Sequence, residues 1–156
     1  MNTVRAAATV LARFLLTAVF LAAGMHKIFH WHESEKLMMD VLSNWQSHLS
    51  FSEPAQHVFS SLVLFAPLLL FIEGAIEIVG GLLILLGVRE KLGATLLFLI
   101  MIPTTILFHQ FWFVDVSQRD LQQIMFLKNL SIMGGLLLVL LFGAQTPQKK
   151  DNGFKF

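Results

Sequence analysis

The strongest constraint in this sequence is a set of four apolar stretches, each long enough to cross the hydrocarbon core of a bilayer. An α-helix rises about 1.5 Å per residue, so roughly 20 residues span a core about 30 Å thick. The stretches cover residues 6–28, 61–86, 93–114 and 121–143. We therefore predict an all-α fold, in which residues 1–145 form a single four-helix transmembrane domain and residues 146–156 form a polar tail.

Composition supports a membrane protein and excludes several kinds of chemistry. Hydrophobic residues make up 56% of the chain and charged residues only 13%, about half the share that is usual in soluble domains. A net charge of +1 gives no reason to expect nucleic acid as a partner. Because the chain contains no cysteine, it has no disulfide, no thiol chemistry and no cysteine-ligated metal. Any redox role therefore depends on a bound cofactor or on a partner protein.

The first apolar stretch has an alternative interpretation as a secretory signal peptide, because residues 21–24 resemble a cleavage region. Arg13 argues against it, since a charge within the apolar part of a signal peptide is unusual. We expect this stretch to stay in the protein as a membrane helix.

The distribution of charge predicts the orientation in the membrane. Basic residues dominate the N-terminus, the turn at residues 89–91 and the tail, whereas acidic residues dominate the segments after the first and third stretches. The positive-inside rule then places both termini in the cytoplasm, which agrees with an even number of spans. The chain is thus expected to be a multi-pass membrane protein.

The long segment from His26 to His57 is expected to lie outside and to contain an amphipathic helix. Ser34 is a suitable N-cap for it. One helical face then carries the apolar residues Leu37, Met38, Val41, Leu42, Trp45 and Leu49. We predict that this helix lies on the outer leaflet, with Trp31 and Trp45 as interfacial anchors.

Prolines give further expectations about the helices. Ser52 and Pro54 are placed to begin the second membrane helix, with the proline in its first turn. Pro67 and Pro103 fall inside predicted spans and are expected to kink them. Pro147 is expected to follow the end of the fourth helix.

Two glutamates inside the second apolar stretch require polar interaction partners. Glu73 and Glu77 lie one helical turn apart, and so on one face. A carboxylate within the hydrocarbon costs at least about 2.5–3.5 kcal/mol, so both must face the interior of the bundle.

Each of the other spans also has one polar or small-residue face, which predicts a bundle with these faces turned inward. Counting depth along each span places Arg13 level with Glu77, and Lys27 near the outer rim. The same count places Glu73 in one layer with His109, Lys128 and Asn129. The candidate ligand-site residues are Arg13, Lys27, Glu73, Glu77, His109, Lys128 and Asn129, while no catalytic residue can be assigned. The alternative is that these polar groups only fix helix register.

A metal site is not predicted, but His26 and His30 are the candidate ligands if one exists. They share a helix face if the first helix continues past Lys27. A pH-sensitive or interfacial histidine cluster is the alternative.

Several motifs, in this order and spacing, resemble the DoxX family. They are Arg13, Gly24-x-x-Lys27, Glu77-x-x-Gly80-Gly81 with Gly87, Phe108-His109, and Lys128-Asn129 with Gly134-Gly135. The resemblance implies a small four-helix bacterial inner-membrane protein, similar in fold to subunits of a thiosulfate:quinone oxidoreductase and to a eukaryotic cargo-receptor family. Glu73 and the long outer segment do not belong to the family pattern.

Three functions are compatible with the sequence. The first is a subunit or accessory of a quinone-linked redox system, with a partner redox protein, rather than a self-contained enzyme. The second is a structural or assembly protein of the membrane. The third is a carrier for an ion or small solute, for which four helices offer little room unless the protein is a homo-oligomer.

Overall fold

The computed structural model describes residues 2–143, and all regular secondary structure in this part of the chain is α-helical. Its helices are α1 (Asn2–Phe29), α2 (Trp31–His48), α3 (Glu53–Leu64), α4 (Ala66–Leu85), α5 (Glu90–Phe108) and α6 (Val116–Phe142). Helices α1, α4, α5 and α6 are long and apolar enough to cross a membrane. The predicted all-α fold with four spans is confirmed. The tail at residues 146–156, with Pro147, lies outside the described residues.

The second apolar stretch differs from the prediction, because it contains two helices rather than one. Helix α3 ends at Leu64 and α4 begins at Ala66, with Pro67 in the first turn of α4. A proline is favourable there because the first turn of a helix leaves its N–H groups unpaired in any case. Pro67 therefore begins a helix and does not kink one, whereas Pro103 does lie inside α5.

Helix α4 occupies the centre of the fold. It packs against α1 on one side and α5 on the other, while α6 packs mainly against α5. Helices α1 and α6 touch each other only sparsely. The two glutamates of α4 are both buried as a result of this central position.

Glycines allow the central helices to approach closely. A Cβ atom on Gly24 of α1 would lie 2.6 Å from Cγ1 of Ile78, and one on Gly93 of α5 would lie 2.7 Å from the carbonyl oxygen of Gly80. Neither position has room for a side chain. Close approach at small residues is the usual way in which membrane helices gain packing energy.

Helices α2 and α3 form a cap over one end of the bundle, which we call the capped end. Met38 and Leu42 of α2 are buried together with Ala66 and Leu70 of α4. The apolar face of α2 thus covers protein, and the prediction that it lies on the outer leaflet is wrong. An amphipathic face has the same sequence pattern whether it meets lipid or a protein surface.

Trp45 illustrates the same correction. Its indole Nε1 donates a hydrogen bond to the carbonyl oxygen of Leu107 at 3.1 Å, and its ring stacks on Phe59 at 5.9 Å. It fastens the cap to the end of α5 rather than anchoring a helix in the membrane interface.

Both predicted helix starts in the cap need correction. A helix does begin after Ser52 with Pro54 in its first turn, but it is the cap helix α3 and not the second membrane helix, which begins at Ala66. Helix α2 begins at Trp31, so Ser34 lies inside the helix and is not its N-cap. Its side chain is buried because it faces the bundle.

Candidate functional site

The predicted pairing of Arg13 with Glu77 is wrong. Arg13 forms an ion pair and hydrogen bond with Glu90, at the end of the bundle opposite the cap. Its guanidinium lies against Gly87, where a Cβ atom would be 2.6 Å from Nη1. The 28 residues of α1 span about 42 Å, more than the hydrocarbon core, so counting depth from the end of the apolar stretch misplaced this residue.

Glu77 instead pairs with Lys27. The Lys27 ammonium donates hydrogen bonds to both carboxylate oxygens of Glu77, each at 2.8 Å. The antiparallel register of α1 and α4 brings these residues together, because Gly24 packs against the backbone of Gly74. Lys27 lies near the end of α1, and its long side chain reaches into the bundle to the glutamates.

Glu73 is the second carboxylate of this cluster and the less well paired one. Its Oε2 atom lies 3.8 Å from the Lys27 ammonium, beyond hydrogen-bond distance. Its Oε1 atom accepts a hydrogen bond of 2.9 Å from the Thr104 hydroxyl, which also lies 2.8 Å from the carbonyl oxygen of Ile100. One hydroxyl proton serves two acceptors, so this bond is shared.

The unpaired oxygen of Glu73 is the most informative atom of the site. Glu73 is only 4% exposed, and its Oε2 atom has no hydrogen-bond partner among the described residues. A buried polar atom without a partner costs roughly 1–3 kcal/mol, and more when it is charged. One ammonium also faces two carboxylates here, which leaves acceptor capacity for a ligand.

Glu73 lines a cavity of about 560 Å³ that all four membrane helices and α2 surround. Lys27, Glu73, Glu77 and Thr104 provide polar groups on its walls. Most of the remaining wall is apolar, and Glu33, Ser34 and Leu37 of α2 cover it at the capped end. The volume falls within the range of roughly 300–1,000 Å³ that is typical of small-molecule sites.

The structure places His109 and Asn129 at the cavity, together with Glu73 as the depth argument expected. His109 Nδ1 lies 3.1 Å from the Gln122 side-chain oxygen, and Asn129 donates to the Thr105 hydroxyl at 3.2 Å.

Lys128 does not join this group. Its side chain is exposed, and its ammonium lies 3.3 Å from the sulfur of Met125. Consecutive helical residues point about 100° apart, so turning Asn129 inward turns Lys128 away. The predicted position of Lys128 in one layer with Glu73, His109 and Asn129 is therefore wrong.

Some residues of the cavity were not among the candidates from sequence. Thr104 was missed because it stands beside Thr105 in the sequence, and both threonines align with cavity-lining residues of α5 at four-residue spacing. Ser34 was taken for a helix cap instead of a buried group facing the bundle.

The two candidate metal ligands form a different arrangement. The rings of His26 and His30 stack with their centroids 4.4 Å apart. Within residues 2–143, no three His, Asp or Glu side chains gather in a cluster that would hold a metal ion.

The geometry supports binding of a small amphipathic molecule. Such a ligand would offer a hydrogen-bond donor to Glu73 and apolar surface to the walls. The Lys27–Glu77 pair forms a fixed polar part of the cavity wall, because its hydrogen bonds hold both side chains in place.

Comparison with known proteins supports the fold and says little about the ligand. A segment of 69 residues is 36% identical to the ER-derived vesicles protein ERV29 of Saccharomyces cerevisiae, covering 44% of this chain but only 22% of the yeast protein. No solved structure matches the chain.

The model of the DoxX family matches residues 8–110. This range runs from the first turns of α1 to the residues just after α5, and so includes Arg13, Lys27, both glutamates and His109. It covers well over half of the chain, and it agrees with the four membrane-spanning helices. The chain belongs to the DoxX family of helical membrane proteins.

Proposed function

We propose that this protein binds the headgroup of a lipid-soluble quinone in the cavity beside Glu73, as the membrane subunit of a redox system. The observation that carries this proposal is that Glu73 lines the cavity while its buried Oε2 atom has no hydrogen-bond donor among the described residues. A quinol hydroxyl is such a donor. A quinone is also lipid-soluble, so it can reach a site that is surrounded by membrane helices.

The surrounding residues suit both forms of the headgroup. Glu73 accepts a hydrogen bond from a hydroxyl of the reduced form and takes up one of the two protons that the quinol loses on oxidation, while the second proton and both electrons pass to the partner redox protein. The ammonium of Lys27 is a donor for a carbonyl oxygen of the oxidised form, whereas His109, whose Nδ1–H donates to the Gln122 oxygen, offers Nε2 as an acceptor for a quinol hydroxyl. Phe20, Met101 and Phe108 supply apolar walls for the ring.

Electron transfer in this proposal belongs to a partner protein. The chain has no cysteine to ligate an iron–sulfur cluster. Its own contribution is to bind the headgroup, orient it and hold a proton at Glu73. With both termini in the cytoplasm of a bacterial cell, the cavity lies in the outer half of the inner membrane.

Binding of a fluorescent or absorbing quinone analogue to the purified protein in detergent or lipid tests the proposal. We expect saturable binding by the wild type and binding weakened about tenfold to hundredfold in Glu73→Gln, because a charge-assisted hydrogen bond contributes roughly 1.5–3 kcal/mol.

Glu90→Gln is the matched control. Glu90 is as buried as Glu73 and also pairs with a cation of α1, but it does not line the cavity. We expect this variant to be less stable and yet, once folded, to bind the analogue like the wild type. Absence of saturable binding by the wild type, or equal weakening in both variants, would refute the proposal.

A carrier function predicts a different outcome for the same variants. Flux of an ion or small solute across reconstituted vesicles, lost in Glu73→Gln and unaffected by quinone analogues, would favour a carrier.

The cap favours a second candidate function, docking of a partner protein, and the similarity to an ER vesicle protein is compatible with it. Lys36 and Asp40 lie on the exposed face of α2, away from the buried Met38 and Leu42. The charge reversals Lys36→Glu and Asp40→Lys should then abolish capture of a partner while leaving binding of the quinone analogue unchanged.

A further inference from the structure

The wall of the cavity formed by α1 reaches the surface of the molecule. Val19 lines the cavity and is nevertheless 40% exposed. His26, two turns further along α1, also lines the cavity and is exposed. By contrast, Met101 of α5 lines the cavity and is only 6% exposed. Glu33 and Leu37 of α2 are exposed as well, whereas the remaining α5 residues of the lining are half-buried, so the cavity is most open beside α1 and α2.

Helix α6 forms the other edge of this opening. A Cβ atom on Gly135 would lie 3.3 Å from Cδ1 of Leu16, so this face of α6 meets α1. Ile132 and Lys128 continue the same face toward the capped end, at helical spacings of three and four. Ile132 lines the cavity, whereas Lys128 is exposed.

These residues define a seam between α1 and α6, formed by Val19, Ala23, Lys128 and Ile132. The seam is closed at Leu16 and Gly135, and the sparse contact between α1 and α6 leaves the rest of it open. Val19 lies ten residues before the end of α1, about 15 Å below the capped end. At Val19, the opening is therefore well below the capped end, at a depth that suits the hydrocarbon of a bilayer.

We propose that the α1–α6 seam admits a hydrocarbon chain from the bilayer and holds the tail of the ligand whose headgroup lies at Glu73. The nature of the headgroup rests on the proposed function, but the opening itself does not. A cavity of about 560 Å³ holds a headgroup and the start of a tail, so the remainder of a long isoprenoid chain must lie elsewhere. The seam is continuous with the cavity, and Val19, Ala23 and Ile132 give it apolar walls.

Lys128 marks the polar edge of the seam. A lysine near the end of a membrane helix extends its ammonium toward the headgroup region while its stem lies along apolar surface. The apolar part of the seam, below this ammonium, is left for the hydrocarbon chain.

The absence of cysteine makes the seam testable with a single reporter thiol, Met101→Cys, on the far wall of the cavity. In reconstituted vesicles we expect a long-chain alkyl maleimide dissolved in the bilayer to label this thiol faster than a charged, water-soluble maleimide. Adding Ala23→Trp should slow the labelling by about tenfold or more, because a bulky indole fills the seam.

Ala22→Trp is the matched control, since Ala22 is the neighbouring alanine, is exposed and does not line the cavity. It should leave the labelling rate unchanged. Faster labelling by the charged reagent would overturn the proposal, because the cavity would then open to water beside α2. Equal labelling with Ala23→Trp and Ala22→Trp would also overturn it.

A second measurement avoids substitution altogether. Wild-type protein in vesicles that contain a phospholipid with a mid-chain diazirine should, after illumination, carry label on Met101 as well as on lipid-facing residues. Label confined to exposed residues would refute access by a hydrocarbon chain. Both readouts are independent of quinone binding, so this inference and the proposed function fail separately.

Discussion

Replacement of Gly93 by alanine tests the close approach of α4 and α5 directly. A Cβ atom at this position would lie 2.7 Å from the carbonyl oxygen of Gly80 and 3.0 Å from Cβ of Leu83. The first distance is about 0.7 Å less than the 3.4 Å at which ordinary contact begins. The obstacle is backbone, which cannot rotate away as a side chain can, so the two helices must separate.

The expected cost follows from two opposing effects. Forcing an extra methyl group into a packed interior costs about 1–3 kcal/mol. Alanine gains up to about 1 kcal/mol over glycine in a helix. We therefore expect Gly93→Ala to lower the free energy of unfolding by about 1–2 kcal/mol.

Gly134 on α6 provides the matched control, because a Cβ atom there meets nothing within 4 Å. Gly134→Ala should keep only the gain in helix propensity and leave stability equal or higher by up to about 1 kcal/mol. Unfolding of both variants in mixed micelles, followed by circular dichroism as the share of denaturing detergent rises, measures the difference. If Gly93→Ala were as stable as Gly134→Ala, the close packing of α4 on α5 described above would be incorrect.

Three further predictions concern the polar groups. Lys27→Met removes the ammonium beside two buried carboxylates and should destabilise the protein by about 3–5 kcal/mol in the same unfolding assay; an effect below 1 kcal/mol would contradict the ion-pair geometry. A double-mutant cycle with Arg13→Gln and Glu90→Gln should show a coupling of roughly 0.5–3 kcal/mol, whereas additive effects would mean that the pair does not interact. Trp45→Phe keeps the aromatic contacts but loses the hydrogen bond to the carbonyl oxygen of Leu107, which should lower the free energy of unfolding by about 1 kcal/mol. Near-ultraviolet circular dichroism and the unfolding midpoint measure this change. Unaltered stability would contradict the hydrogen bond.

The ion pairs of the buried carboxylates could be predicted only in part from the sequence. The sequence alone shows that Glu73 and Glu77 need polar partners, because they are carboxylates within an apolar segment and a charge in hydrocarbon is costly wherever it lies. Their partner does not follow, since Arg13 and Lys27 carry the same charge on the same helix. Only the register of α1 against α4 distinguishes them, and packing at Gly24 and Gly87 sets that register.

The sequence alone determined the number of spans and the burial of the two glutamates, because transfer of a helix into a bilayer depends on the summed polarity of its residues. The tertiary structure decided which cation pairs with which carboxylate, that the apolar face of α2 packs on the bundle, and that Lys128 faces outward. Each of these depends on how far one helix slides or turns against its neighbour. The register and rotation of each helix depend on local shape, such as the contact of a glycine with a backbone carbonyl. The pattern of hydrophobic residues along the sequence does not encode this shape.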